Sequence, residues 1–256
     1  MNILIINDDG IKAQGLEILV DQMRSLGNIY IFAPEHHQSG KSQSLTIRKA
    51  LKVKNYRNLY GSKQAYSAAG TPADCVRLAL HIFRDIKFDF MVSGINRGAN
   101  LGADVLHSGT VGAASAAASL GVPAVAVSSN YLNFSMAKKY TTKIIKHLFE
   151  RNIISNEYVI NINFPHHKFI EPQGISFTTQ GLHKHKPVFK QVGRNKYYAL
   201  YELYDLKETE DSDVYCYQNG IISLTPIFED RSKKSFLSEL EDKTQLNEIV
   251  FYDKIK

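Results

Sequence analysis

Short apolar runs punctuate the first two thirds of the chain, at Ile3–Ile6, Ile29–Ala33, Phe90–Ser93, Ala124–Ser128 and Tyr158–Asn163. Their β-branched content and the near absence of polar interruption read as strands buried on both faces. Between several of them lie stretches of helical period. Leu16, Leu19, Val20 and Met23 form one apolar stripe. Thr71-Pro72-Ala73-Asp74 opens a second with a hydroxyl N-cap, a proline at the first helical position and an acid in the first turn. Its face continues through Val76, Leu78, Ala79 and Ile82. A third helix, built almost wholly from small residues, is predicted from Gly109 to Leu120, and a fourth from Ser135 to Arg151. Strand–helix alternation predicts an α/β fold with a doubly wound, mostly parallel sheet.

After Pro165 the rhythm changes. Alternating stretches at Tyr197–Leu206 and Ile221–Thr225 are followed by an amphipathic segment, Lys233–Phe251. The predicted organisation is therefore a core over residues 1–165 and a β-rich extension with a C-terminal arm over 166–256. The arm cannot bury its apolar face alone, which points to a homo-oligomer packed through it.

Composition narrows the function classes. No apolar run approaches the ~20 residues of a membrane span, and the N-terminus has neither a basic region nor a cleavage site. Cys75 and Cys216 are too few for a disulfide framework or a metal knuckle, so a reducing cytoplasm is expected. The net charge of +6 and pI near 9.1 favour anionic partners. The densest basic stretch, Lys41 to Arg57, contains Arg48, Lys49, Lys52 and Lys54 without an acid. Its alternation (Leu45, Ile47, Leu51, Val53) predicts a hairpin with one wet face. Few aromatic residues accompany it, so no nucleic acid is expected.

The chemistry concentrates where strands end. Asn7-Asp8-Asp9-Gly10 follows the first strand directly, and two adjacent carboxylates repel unless a proton or cation sits between them. Ligands of open α/β sheets bind beyond the carboxyl ends of the strands. Three other polar loops fall at that same predicted edge: Pro34–Gly40, Ser93–Gly102 and Ser108-Gly109-Thr110. They offer the Ser39 hydroxyl and the Asn96 carboxamide, oxygen donors suited to Mg²⁺ or Mn²⁺. The helix start at Gly109 and Thr110 presents free amides and a positive dipole end to an anion. A metal beside an anion cradle points to phosphoester hydrolysis by metal-activated water. His36 and His37 read as surface residues or substrate contacts, and His107 as a neighbour of the phosphate.

Taken in order, these motifs resemble the SurE family of stationary-phase survival proteins, metal-dependent 5'-nucleotidases. The resemblance rests on Asn7-Asp8-Asp9-Gly10-Ile11, Ala33-Pro34 with Ser39-Gly40, Gly70-Thr71-Pro72-Ala73-Asp74-Cys75-Val76, Ser93-Gly94-Ile95-Asn96 through Asn100-Leu101-Gly102, and Ser108-Gly109-Thr110-Val111. Ser212-Asp213, Gly220 and Ser223-Leu224-Thr225-Pro226 extend it toward the C-terminus. It implies a Rossmann-like core binding one divalent cation per subunit through Asp8, Asp9, Ser39 and Asn96. It also implies hydrolysis of nucleoside 5'-monophosphates, with some action on 3'-monophosphates and short polyphosphate. Cytoplasmic dimers or tetramers that exchange C-terminal segments are implied as well. On this reading Asp8 and Asp9 are catalytic, while Gly40, Asn100, His107, Ser108, Gly109 and Thr110 hold phosphate or substrate. Lys12, Gln14, Arg97 and His107 depart from the family pattern around the site. Two rivals make different demands. A nucleotide-sugar glycosyltransferase needs a second Rossmann-like domain after residue 150, and a non-catalytic nucleotide sensor does not need paired carboxylates.

Overall fold

Side-chain alternation in the first strand sets the architecture. β1 (Asn2–Ile6) sends Ile3 and Ile5 into one apolar cluster and Leu4 and Ile6 into another, and all four are fully buried. A strand covered on both faces belongs in the middle of a sheet flanked by two helical layers. The computed structural model has that form, and it describes residues 1–182, 185–203, 207–230 and 232.

From the N-terminus, β1 is followed by α1 (Gln14–Met23), β2 (Asn28–Pro34), β3 (Val53–Tyr56) and β4 (Gln64–Ala68). Next come α2 (Pro72–Ile82), β5 (Phe90–Arg97), α3 (Gly109–Ala118), β6 (Ala124–Ser129), α4 (Ser135–Glu150) and β7 (Tyr158–Asn163). The later elements are β8 (Gly174–Phe177), β9 (His185–Gly193), β10 (Lys196–Leu203), α5 (Asp213–Gln218) and β11 (Ile221–Phe228). Nine strands make one sheet in the order β3-β4-β2-β1-β5-β6-β7-β11-β8. From β4 through β7 the pairing is parallel, with β3 and β11 antiparallel at either side. Among the described residues, β9 and β10 pair only with each other, as a separate antiparallel hairpin.

Helices α1 and α4 cover the face of Ile3 and Ile5, whereas α2 and α3 cover that of Leu4 and Ile6. α2 begins as its sequence predicts: Asp74 N–H donates to the Thr71 hydroxyl, and the Asp74 carboxylate accepts from Thr71 N–H. α3 is buried along its whole length. Its small residues let it approach the loop after β2 so closely that a Cβ on Gly112 would lie 2.3 Å from the Ser42 carbonyl oxygen. β1 has β2 on one side and β5 on the other, so the crossovers diverge there and open a crevice at the carboxyl ends.

Three expectations change. The basic stretch 41–57 is not a hairpin. Only Val53–Tyr56 forms a strand, and Leu45 and Ile47 remain 37% and 73% exposed because no opposing face covers them. β5 continues past Ser93 to Arg97 by absorbing Gly94 and Ile95 as an irregularity between two stretches paired with β6. β4, with its mixed Gln-Ala-Tyr-Ser-Ala sequence, is a strand that apolar patterning does not mark. The amphipathic Lys233–Phe251 segment lies outside the described residues.

Candidate active site

The loop leaving β1 folds on itself. The Asn7 carboxamide donates to the Gly10 carbonyl at 2.9 Å and accepts from Gly10 N–H at 3.2 Å, so the two aspartates stand at the tip of a closed turn. Asp8 is 3% exposed. The Thr110 hydroxyl, in the first turn of α3, donates to its Oδ1 at 2.6 Å. Burial raises the Asp8 pKa from 3.8 to about 6; the Thr110 hydrogen bond opposes this and the neighbouring Asp9 charge adds to it. Gly109 crowds the same carboxylate, since a Cβ there would lie 2.8 Å from both Asp8 Cβ and Oδ2. Only glycine fits between the helix start and Asp8.

Asp9 looks the other way along the crevice. Its Oδ1 lies 3.1 Å from His37 Nδ1, and Arg97 N–H reaches its Oδ2 at 3.4 Å. The loop after β2 is tied at both ends: Gln38 N–H donates to the Asp8 carbonyl at 2.7 Å, and Ser42 N–H to the His107 carbonyl at 3.1 Å. Ser39 and Gly40 lie between these ties and are exposed. At the end of β5, Asn96 donates its amide to the Gly98 carbonyl at 2.9 Å, and its carboxamide oxygen has no partner among the described residues.

The candidate phosphate contacts have different duties. Ser108 caps α3 by accepting from Val111 N–H at 3.1 Å, and Thr110 spends its hydroxyl proton on Asp8. Asn100 donates from its side chain to Ser128 Oγ, while its backbone is clasped by Asn161 and Asn163. His107 is exposed.

Sequence reasoning missed three supports. His37 pairs with Asp9. Asn161 and Asn163 hold the Asn100 loop, and their alternation in an otherwise apolar strand was the available signal. Asp213, fully buried, accepts from Gly102 N–H at 3.1 Å and Gly181 N–H at 2.8 Å, and burial raises its pKa. Its partners are backbone amides far away in sequence, so no spacing betrays them.

These donors fit a hard divalent cation. Two carboxylates, a free carboxamide oxygen and a nearby hydroxyl are all oxygen ligands. Among the described residues no three His, Cys, Asp or Glu side chains gather as a metal cage, so a cation here would rely partly on neutral oxygens.

Known proteins resemble this chain over most of its length. The model of the family described as "Survival protein SurE" matches residues 3–187. The "5'-nucleotidase SurE" of Syntrophomonas wolfei is 36% identical over 235 residues, 89% of this chain and 88% of that protein. That of Legionella pneumophila is 36% identical over 256 residues, covering 97% and 98%. The crystal structure of SurE protein from Aquifex aeolicus superposes with a TM-score of 0.80 at 30% identity, over 95% of this chain and 99% of that one.

Proposed function

Because the chain belongs to the SurE family of survival proteins, we propose that it is a 5'-nucleotidase, a phosphomonoesterase releasing phosphate from nucleoside monophosphates. The observation that carries this reading is the Asp8–Asp9 pair at the crevice beside β1, with a buried hydroxyl aimed at Asp8.

Asp8, Asp9, Ser39 and Asn96 would hold one divalent cation, Mg²⁺ or Mn²⁺. Once bound, it supplies Lewis acidity toward a phosphoryl oxygen and lowers the pKa of a water. Thr110 keeps Asp8 oriented and ionised. Amides at Gly109, Thr110 and Gly40 receive the phosphate oxygens, favoured by the positive end of α3. Asn100 and Ser108 border that cradle, supported by Ser128, Asn161 and Asn163. Asp9, the less buried carboxylate, takes the proton of the attacking water, and His37 at 3.1 Å is placed to receive it next. His107 protonates the departing alkoxide as the P–O bond breaks. The subunits assemble as dimers or tetramers through the C-terminal arm, and the enzyme works in the cytoplasm. No described helix is long and apolar enough to cross a membrane.

The test uses chelated protein and adenosine 5'-monophosphate. Phosphate release should return on adding Mg²⁺ or Mn²⁺, and Asp8→Asn and Asp9→Asn should abolish it while leaving the folded spectrum intact. Folded variants that retain full metal-dependent hydrolysis would overturn the assignment.

A further inference from the structure

A nucleoside monophosphate has two halves, and the residues above grip only one. Arg97, directly after Asn96, and the segment after β6 carry flat side chains that the phosphate site does not use. Arg97, whose backbone N–H reaches Asp9, donates from its guanidinium to Gln14 Oε1 at 3.0 Å and lies over the Phe134 ring, 5.1 Å from its centroid. One residue further, Gly98 runs beside Tyr131: a Cβ at Gly98 would stand 3.9 Å from Tyr131 Cδ2. Tyr131 is 70% exposed, and Leu132 beside it 60%. Arg97, Leu132 and Phe134 also wall a groove of about 570 Å³ along α1, within the range of small-molecule sites.

We infer that Tyr131 and the Arg97–Phe134 stack form the nucleobase subsite, holding a planar heteroaromatic ring by its faces while the phosphate lies at Asp8 and Asp9. The inference rests on the nucleotidase reading and extends it to the leaving group. Stacking on an aromatic ring or a guanidinium plane suits every base, because every base has a π-face. A second phosphate fits this place less well. The guanidinium is already engaged by Gln14 and Phe134, and the Arg24 and Lys138 charges that line the same groove are matched by Glu17 and Asp21. The subsite is joined to the phosphate end by short links, through Asn96 to Gly98 and through the Arg97 backbone to Asp9.

The experiment compares adenosine 5'-monophosphate with ribose 5-phosphate, which keeps the ester and lacks the base, using the full chain with Mg²⁺ or Mn²⁺. Tyr131→Ala should raise KM for the nucleotide with little change in kcat. The ratio of kcat/KM between the two substrates should then fall on the order of 10-fold, the size of one lost base–aromatic stack. Tyr131→Phe, which keeps the ring, should retain the wild-type ratio, and Arg97→Ala should lower it. An unchanged ratio in Tyr131→Ala overturns the inference, as does a Tyr131→Phe variant that falls equally. So does an Arg97→Ala variant that weakens both substrates alike, which would make the guanidinium a phosphate clamp. Wild-type protein inactive on both substrates overturns the nucleotidase reading and the subsite together; an active enzyme with an unmoved ratio overturns the subsite alone.

Discussion

Thr110→Val removes one oxygen from the site while keeping its shape, which makes the role of that hydroxyl measurable. The Thr110 side chain is fully buried and donates at 2.6 Å to a carboxylate that is itself 3% exposed. A buried hydrogen bond to a charged group contributes about 1.5–3 kcal/mol. At 1.36 kcal/mol per pKa unit, its loss should raise Asp8 by about 1–2 units. Starting from about 6, the carboxyl would then titrate near 7 to 8, so at neutral pH a large share of the variant would carry a proton on the carboxyl that the proposed cation needs ionised. Calorimetric Mn²⁺ titrations from pH 5.5 to 9 report this directly. Wild-type affinity should weaken below a midpoint near pH 6, that of Thr110→Val below a midpoint one to two units higher, and the two should approach each other at pH 9. Thr110→Ser, which keeps the donor, should follow wild type. If the Thr110→Val midpoint stays within a few tenths of a unit of wild type, the hydroxyl does not govern Asp8. A Thr110→Ser variant that shifts as far as Thr110→Val would have the same meaning.

Gly109→Ala places a Cβ 2.8 Å from Asp8 Oδ2, and displacing the carboxylate by even ~1 Å should cost about 10²-fold in kcat/KM. Its thermal midpoint should fall as well, because the added methyl overpacks a buried site at a cost of about 1–3 kcal/mol. In metal-free protein, folded Asp8 keeps its proton up to about pH 6, whereas the unfolded chain releases it near 3.8. The native state binds more protons between those values, so stability falls as pH rises through that window, by about 3 kcal/mol. Urea midpoints measured in chelator at pH 4 and pH 7 should show this decline in wild type and lose it in Asp8→Asn. Asp213→Ala leaves the Gly102 and Gly181 amides without their acceptor and should destabilise the fold by about 2–4 kcal/mol, visible as a lower thermal midpoint.

Most strands of the parallel core, β4 excepted, were legible because burial on both faces writes itself as mainly apolar runs, and β7 was bounded to the residue at Tyr158–Asn163 despite its two asparagines. The start of α2 was equally plain, since Thr71 and Asp74 satisfy each other locally. The expected hairpin failed at Leu45 and Ile47 because alternation shows which residues could share a face, not whether a partner surface exists. Among the candidate site residues, adjacency at a strand end is the feature that marks Asp8 and Asp9 in the sequence. Thr110 was read as a phosphate contact because a hydroxyl at a helix start looks alike whether its partner is an anion or a carboxylate across the crevice. Asp213 could not be read at all, because it works on amides that every residue except proline carries.

The sequence separation of 102 between Asp8 and Thr110 bears on the order in which the molecule is made. A ribosome delivers both acids first, and they wait as a flexible tip until the strand of Asn96 and the helix after Ser108 have emerged. Closing so long a span costs entropy that few early contacts offset. A cation whose site needs both ends of that span finds nothing to bind until they meet. Any ligand of such a pocket adds its binding energy to a fold that packing has already built.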